Sequence, residues 1–296
     1  MKNFFKVVDI EDVWERRSAF PVVDQETLPL ASTVGRILAE AVIADLDIPG
    51  FARSTMDGYA LQGATTFGAT ESNPGYLTVV GSVAMGERPD LRVGPGEAVR
   101  IATGGMLPPG ADAVMMIEHT EVLDDTTIEI YKSVAPGQHV VAQGEDIARG
   151  NALLASGQPV RPQEAGLLAA LGCETVHVFR KPRIGIISTG DEVVPVTAVP
   201  GPGQIRDVNS TTLSAMTTAA GGQPNVYGIV QDSLDLLKTT CTRALAENDM
   251  VLVSGGSSVG MRDFTIEAFE AQEDAHIMVH GVSISPGKPT ILARSG

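Results

Sequence analysis

The sequence is poor in the features that most often advertise a function. Its 296 residues include two cysteines, Cys173 and Cys241, far apart and outside any CxxC spacing. That excludes a cysteine zinc site or a disulfide framework, and the expectation is two reduced thiols packed in the apolar runs GLLAALGC and LLKTTC. Basic residues are few: 21 Lys and Arg stand against 36 Asp and Glu, a net charge of −15, and no Lys/Arg run occurs. A nucleic-acid surface is therefore not expected, because phosphate affinity comes from clustered cations. No apolar run approaches the roughly 18 to 20 residues of a membrane helix. The opening MKNFFKVVDIEDVWER meets Asp9, Glu11 and Asp12 before it reaches signal-peptide length, so a cytoplasmic, unanchored protein is the expectation. Both the GxxxxGK[ST] and GxGxxG phosphate loops are missing, which excludes a Walker loop and a dinucleotide fingerprint.

What is present is globular: 43% hydrophobic and 19% charged residues, in a chain long enough for two or three cores. Val8 to Phe20 has the spacing of an amphipathic helix closed by Pro21, and Ser32 to Ala41 reads as a second helix. From about Leu46 to Val141, Gly and Pro recur every few residues. Between them, Tyr76–Ala84, Ala98–Ala102, Ala113–Glu118 and Thr127–Tyr131 read as strands. Helical spacing returns from Arg161 to Leu171, with Pro162 suited to a first turn and Gly172 to a stop. After Pro182 the pattern alternates: strands at Arg183–Ser188, Asn225–Val230 and Met250–Ser254, helices at Ser210–Ala220, Ser233–Glu247 and Arg262–Glu270. Apolar strands alternating with helices predict βαβ crossovers and a parallel sheet covered on both faces. The expected organisation is a discontinuous helical and linker domain (1–45 with 142–181), a β-rich domain (46–141) and an α/β domain (182–296).

In open α/β sheets ligands bind beyond the carboxyl ends of the strands, so the residues just after each strand are the candidates. Ser188-Thr189-Gly190-Asp191-Glu192 follows the first strand, Asp232 follows the second, and Ser254-Gly255-Gly256-Ser257-Ser258-Val259-Gly260 follows the third, with Asp263 beyond it. A Gly-rich loop between strand and helix lets backbone N–H groups approach an anion, so Ser254, Gly255, Gly256 and Ser258 read as a phosphate cradle; the alternative is a tight turn. Glu192, Asp232 and Asp263 could bind Mg²⁺, a hard cation that takes oxygen ligands and shares them with substrate phosphate. The alternative for Asp232 and Asp263 is helix capping. Pro286-Gly287-Lys288-Pro289 holds one lysine between prolines, a stiff way to aim a point charge, or a plain surface turn. In the first half, FARSTMDGYA and IATGGMLPPG are polar, rigid loops of the kind that carry binding groups. His119, His139, His177, His276 and His280 are scattered without ligand spacing.

The strings DIPGFARSTMDGYA, RIATGGMLPPGADAVMMIE, QGEDIARG, GIISTGDEVV, SGGSSVGMRDF and ISPGKPT together resemble the molybdopterin molybdenumtransferase family, which includes MoeA and the gephyrin E domain. The resemblance covers essentially the whole chain. It implies an α/β multidomain fold: a MogA-like doubly wound α/β domain plus an elongated β-rich N-terminal region. It also implies insertion of molybdate into adenylylated molybdopterin with release of AMP, by a homodimer whose active site is shared between subunits, with other molybdenum cofactor biosynthesis proteins as further partners. Carried over residue by residue, Glu192 and Asp263 match the Mg²⁺ acids, and Asp57, Thr103, Asp146, Asp232 and Lys288 match active-site positions. Ser188, Thr189, Gly190, Ser254, Gly255, Gly256, Ser258, Pro286 and Gly287 match the positions that bind the pterin nucleotide. Two departures accompany it. Ser285 stands where many relatives have lysine, which makes tungstate an alternative substrate, and the family's C-terminal β domain is expected to be missing. The competing readings are a molybdopterin adenylyltransferase, against which the long β-rich insert argues, and a non-catalytic molybdopterin-binding scaffold.

Overall fold

The computed structural model describes residues 7–255 and 264–295. In the first half the elements are α1 (Ile10–Glu15), β1 (Gln25–Pro29), β2 (Ile37–Leu38), β3 (Val42–Ile43), β4 (Arg53–Ser54), β5 (Gly58–Leu61), β6 (Gly75–Ser82), β7 (Glu97–Ile101), β8 (Ala113–Met116), β9 (Thr120–Val122), β10 (Thr127–Ile130) and β11 (Val140–Val141). The second half has β12 (Ala152–Leu154), α2 (Pro162–Ala170), β13 (Thr175–Phe179), β14 (Arg183–Thr189), β15 (Val193–Val194), β16 (Ile205–Arg206), α3 (Asn209–Ala219), β17 (Gln223–Val230), α4 (Leu234–Glu247), β18 (Met250–Ser254), α5 (Phe264–Glu270), β19 (His276–His280) and β20 (Ile291–Arg294). The chain divides into two compact units. One takes Met1–Ala39, Gly157–Gly166 and Glu174–Gly296; the other takes Glu40–Ser156 and Leu167–Cys173.

The second unit is built on a six-stranded sheet in the order β8-β5-β7-β6-β10-β9, antiparallel except for the β6–β7 pair. Side chains alternate across it, because successive Cβ atoms of a strand point to opposite faces. Leu61, Met115, Ile128 and Ile130 fill one core, and Ala60, Val93, Val99 and Val114 fill the other. With both faces covered, every residue of β5 is buried. Gly58, at the head of β5, lies so close to β8 that a Cβ there would sit 1.9 Å from the Met115 carbonyl oxygen.

In the first unit the α/β layer is a three-stranded parallel sheet in the order β17-β14-β18, with β14 central. The helices α4 and α5 cover one face. There Ile187 and Val230 pack against Leu237, Cys241 and Ala244 of α4 and Ala268 of α5, with Phe264 alongside. Burial of Cys241 pushes its thiol pKa up to about 11, the behaviour of an inert core thiol. Cys173 is only half-buried, so the expectation of a fully buried core thiol fails there. It follows Gly172 in the αL turn that ends α2 (φ 77°), where the Cys173 N–H reaches back to the Leu168 carbonyl.

The βαβ pattern holds, with one difference. The last two strands, β19 and β20, form a separate antiparallel hairpin, docked to the chain start by the Val8 N–H on the Gly281 carbonyl and the Ser283 N–H on the Val8 carbonyl. The helix expected over Ser32–Ala41 does not form. A single 3₁₀ turn at Leu30–Ser32 leads into β2, because long-range partners outbid local propensity. The Leu38 N–H bonds the Gln158 carbonyl, the Ala39 N–H bonds the His177 carbonyl, and Leu38 is wholly buried.

The β1-β13-β2 sheet is joined to the parallel sheet by an ion pair. The Arg180 guanidinium, just past β13, grips both Asp249 oxygens at 2.6 Å, and Asp249 also accepts the Arg183 N–H at 2.7 Å, where β14 starts. This holds the Asp249 carboxyl down at about 2. A depressed carboxylate contributes stability that is complete above its unfolded pKa near 4 and is lost as pH falls through 2. Asp249→Asn is expected to lower stability at pH 7 by about 1–2 kcal/mol, after discounting for partial exposure. The deficit should shrink between pH 4 and 2. Chemical denaturation followed across that range checks it, and a deficit that does not change with pH refutes it.

Candidate functional site

Strand order places the crevice. In a parallel sheet whose first strand is central, the first crossover runs to one side and the second passes back over it to the other, and a crevice opens where the direction reverses. Here that point is the carboxyl end of β14, next to β18. The three strand ends are held close: the Gly190 N–H reaches the Val230 carbonyl at the end of β17, and Gly255, after β18, lies against the Thr189 carbonyl. A Cβ on Gly255 would sit 2.1 Å from that oxygen, and its φ of +111° is one that side chains rarely adopt.

Hydroxyls at the end of β14 organise the surrounding carboxylates. Buried Ser188 donates its Oγ to Asp207 at 3.2 Å, and buried Thr189 donates its Oγ1 to Asp232 at 2.9 Å. The same Asp207 oxygen accepts the Ser210 N–H at 3.0 Å, which caps α3. Asp191 accepts the Asp232 N–H at 3.1 Å. Glu192 folds back so that a Cβ on Gly190 would lie 2.9 Å from one of its carboxylate oxygens. Asp207 was not among the sequence candidates, and Asp191 was one only as part of the loop after the first strand. The signal for Asp207 was its position three residues before Ser210 at a helix start, the pattern of a capping acid.

The oxygen donors gathered here suit a hard divalent cation, which needs only one or two carboxylates when water and phosphate complete its shell. Among the described residues no three His, Cys, Asp or Glu side chains close on one point. Gly256, Ser258 and Asp263 lie outside the described residues. The Ser254 Oγ is buried with no partner among the described residues, and Gly255 is exposed. Pro286, Gly287 and Lys288 are exposed on the turn between β19 and β20, where the Lys288 carbonyl accepts the Val282 N–H and the Thr290 N–H bonds the Gly287 carbonyl.

The other unit carries a second constellation. Asp57 Oδ1 accepts both the Thr103 N–H at 2.7 Å and the Thr103 Oγ1 at 2.9 Å. These two donors hold the Asp57 carboxyl below the usual carboxylate range, leaving Oδ2 an ionised acceptor. Asp146 is exposed on a loop anchored by Asp47, whose oxygens accept the Arg149 N–H at 2.8 Å and the Gln143 Nε2 at 2.9 Å. Asp47 is ionised for the same reason as Asp57.

Comparison with known proteins covers both units. Residues 8–172 match the family described as "MoeA N-terminal region (domain I and II)", and residues 185–296 match the "Probable molybdopterin binding domain". The chain is 36% identical to a molybdopterin molybdenumtransferase of Nostoc sp. over 91% of its length, and 34% identical to one of Bacillus subtilis over 92%. It spans 62% and 64% of those relatives. Among solved structures, a molybdopterin biosynthesis MoeA protein from Pyrococcus horikoshii superposes with a TM-score of 0.84 at 34% identity, covering 97% of this chain and 72% of that one. The paired matches, in the order and on the elements described above, carry one conclusion: this chain belongs to the MoeA family of molybdopterin molybdenumtransferases.

Proposed function

We propose that the chain acts in molybdenum cofactor biosynthesis, transferring molybdate into adenylylated molybdopterin with release of AMP, and that tungstate is an alternative substrate. The observation that carries this reading is the closed end of β14. There Gly255 lies against the Thr189 carbonyl, and Asp207 and Asp232 are fixed by the Ser188 and Thr189 hydroxyls. An anhydride phosphate would sit beside the exposed Gly255 backbone. Glu192 and Asp263 would hold Mg²⁺. When bound, that ion would neutralise charge on the nucleotide phosphate.

The chain's own residues supply position. Asp207 and Asp232, each fixed by a hydroxyl, keep their carboxylates from swinging toward the phosphate. Lys288, exposed on its turn, would provide the cation for the incoming oxyanion. Asp57, Thr103 and Asp146 would act from the β-rich region of a partner subunit in a homodimer with a shared site. No side chain is needed as a covalent nucleophile: the reaction exchanges groups at phosphorus and at the dithiolene, and preorganised charge is the main contribution a protein can make. The further parts of the reading are a division at 1–45 with 142–181, 46–141 and 182–296, a cytoplasmic location, and contact with other molybdenum cofactor biosynthesis proteins. The described helices include none long and apolar enough to cross a membrane.

The test is to mix the purified chain and Mg²⁺ with adenylylated molybdopterin and molybdate, and in a second reaction with molybdopterin and ATP. AMP release with active cofactor is expected. Binding without turnover would make the chain a scaffold, and adenylylated pterin formed from ATP would make it an adenylyltransferase; either outcome overturns the proposal. Asp263→Asn should abolish Mg²⁺-dependent AMP release while circular dichroism is unchanged, and undiminished turnover removes Asp263 from the site. Gly255→Ala forces the strand ends apart, and a displacement on the ångström scale costs about 100-fold in rate. AMP release within twofold of the parent chain would show that the close approach is dispensable.

A further inference from the structure

Three segments of the β-rich unit meet at one small side chain. Ser54 is 2% exposed. Its N–H donates to the Gly105 carbonyl at 3.0 Å and its carbonyl accepts the Gly104 N–H at 2.8 Å. That joins it to the loop that carries Thr103. Across its other edge it pairs with Val140 of β11, and the next residue, Thr55, donates its N–H to the His139 carbonyl at 3.0 Å. His139 holds an αL backbone, φ +60°, uncommon for a residue with a side chain and sustained only where neighbours impose it.

A buried hydroxyl requires partners, and Ser54 finds both on one residue. Its Oγ donates to the Met56 carbonyl at 2.5 Å and accepts the Met56 N–H at 3.1 Å. The peptide groups on both sides of Met56 are thereby fixed, and Asp57 comes next. On the far side, the Ile117 N–H holds the Asp57 carbonyl at 3.0 Å, and Gly58 lies flat against Met115. The backbone of Asp57 is clamped before and behind. Its Oδ1 is taken by the two Thr103 donors, and among the described residues Oδ2 takes none. Met56 itself is 36% exposed, and the Ser54 hydroxyl is the side chain that bonds both of its peptide groups.

We infer that Ser54 is the positioning residue for Asp57: its hydroxyl sets the turn at Met56 that keeps the Asp57 carboxylate seated on Thr103, with one oxygen left to meet a ligand. The inference rests on the proposed function only in giving that oxygen a ligand; the geometric claim stands apart from it. Loss of the hydroxyl frees Met56, lets Asp57 swing, and weakens the charge-assisted bonds that favour its ionised form.

The experiment is a carboxyl ¹³C NMR titration of Asp57 in the whole chain. The parent protein should titrate below the ordinary aspartate range. Thr103→Val sets the scale by removing one donor directly. Ser54→Ala should raise the Asp57 midpoint by about half a unit or more, in the direction of Thr103→Val. An unmoved midpoint in a folded Ser54→Ala protein overturns the inference, whatever happens to its melting temperature, because a purely structural hydroxyl would change stability alone. Should Ser54→Ala not fold, Ser54→Cys keeps the size and weakens the donor. A smaller upward shift is expected there, and no shift overturns the inference equally. AMP release separates the two readings. A shifted titration in a chain that never releases AMP refutes the function and leaves the positioning role. An unmoved titration in an active chain refutes the positioning role and leaves the function.

Discussion

The close approach of the Gly255 backbone to the Thr189 carbonyl is the constraint on which the strand-end site depends. A parallel sheet ordinarily splays at its switch point, and the crevice there is only as well defined as the peptide groups that border it. Here β14 and β18 remain in contact one residue beyond their last ladder pair, because position 255 has no Cβ and sits at a φ that glycine adopts at little cost. The Gly190 N–H then brings in the end of β17. Once these peptides are fixed, the Thr189 hydroxyl meets Asp232, just beyond the neighbouring β17, and the Ser188 hydroxyl meets Asp207, which follows β16 at the start of α3. The site is a consequence of backbone proximity first and of side-chain chemistry second.

The same device recurs in the β-rich unit. Short hydroxyl side chains that are buried cannot be left without partners, and their reach is so small that the partner must be local or directly opposed. Ser54 turns the chain at Met56. Thr66, 1% exposed, donates to the Gly63 carbonyl and accepts the Val134 N–H, tying the segment after β5 to the segment after β10. Thr103 takes up one oxygen of Asp57. None of these residues carries charge, yet they fix the backbone of this unit, and Thr103 sets where the Asp57 carboxylate stands. With a net charge of −15, such a protein gains little from further acids near an anionic ligand unless each is fixed by donors that set its position and its protonation state.

Rigidity of another kind comes from Arg180. Its paired bonds to Asp249 and the Arg183 N–H on the same carboxylate fasten the start of β14 to the end of β13. A planar guanidinium matched to a carboxylate adds direction as well as attraction, so β14 is fixed at its first residue by charge and at its last by glycine contacts.

Much of this was legible from the residues. The alternation after Pro182 predicted β14, α3, β17, α4 and β18 nearly to the residue, because strands buried on both faces must be continuous apolar runs and helices must not. The strand-end groups Ser188, Thr189, Gly190, Asp232 and Gly255 followed from the rule that crevices open at carboxyl ends. Tertiary structure alone decided the rest. Ser32–Ala41 has a helical sequence and became a turn and a strand, since its backbone groups found the Gln158 and His177 carbonyls, more than a hundred residues away. Asp207 reads locally as a helix cap, and only the folded sheet gives it Ser188. Ser54 carries no local sign of its role, because the segments it joins are brought together by sheet pairing. The sequence by itself determined where apolar and polar groups alternate, and so which elements exist. Which hydroxyl faces which carboxylate was settled by contacts between distant segments, whose free energy no local window of sequence contains.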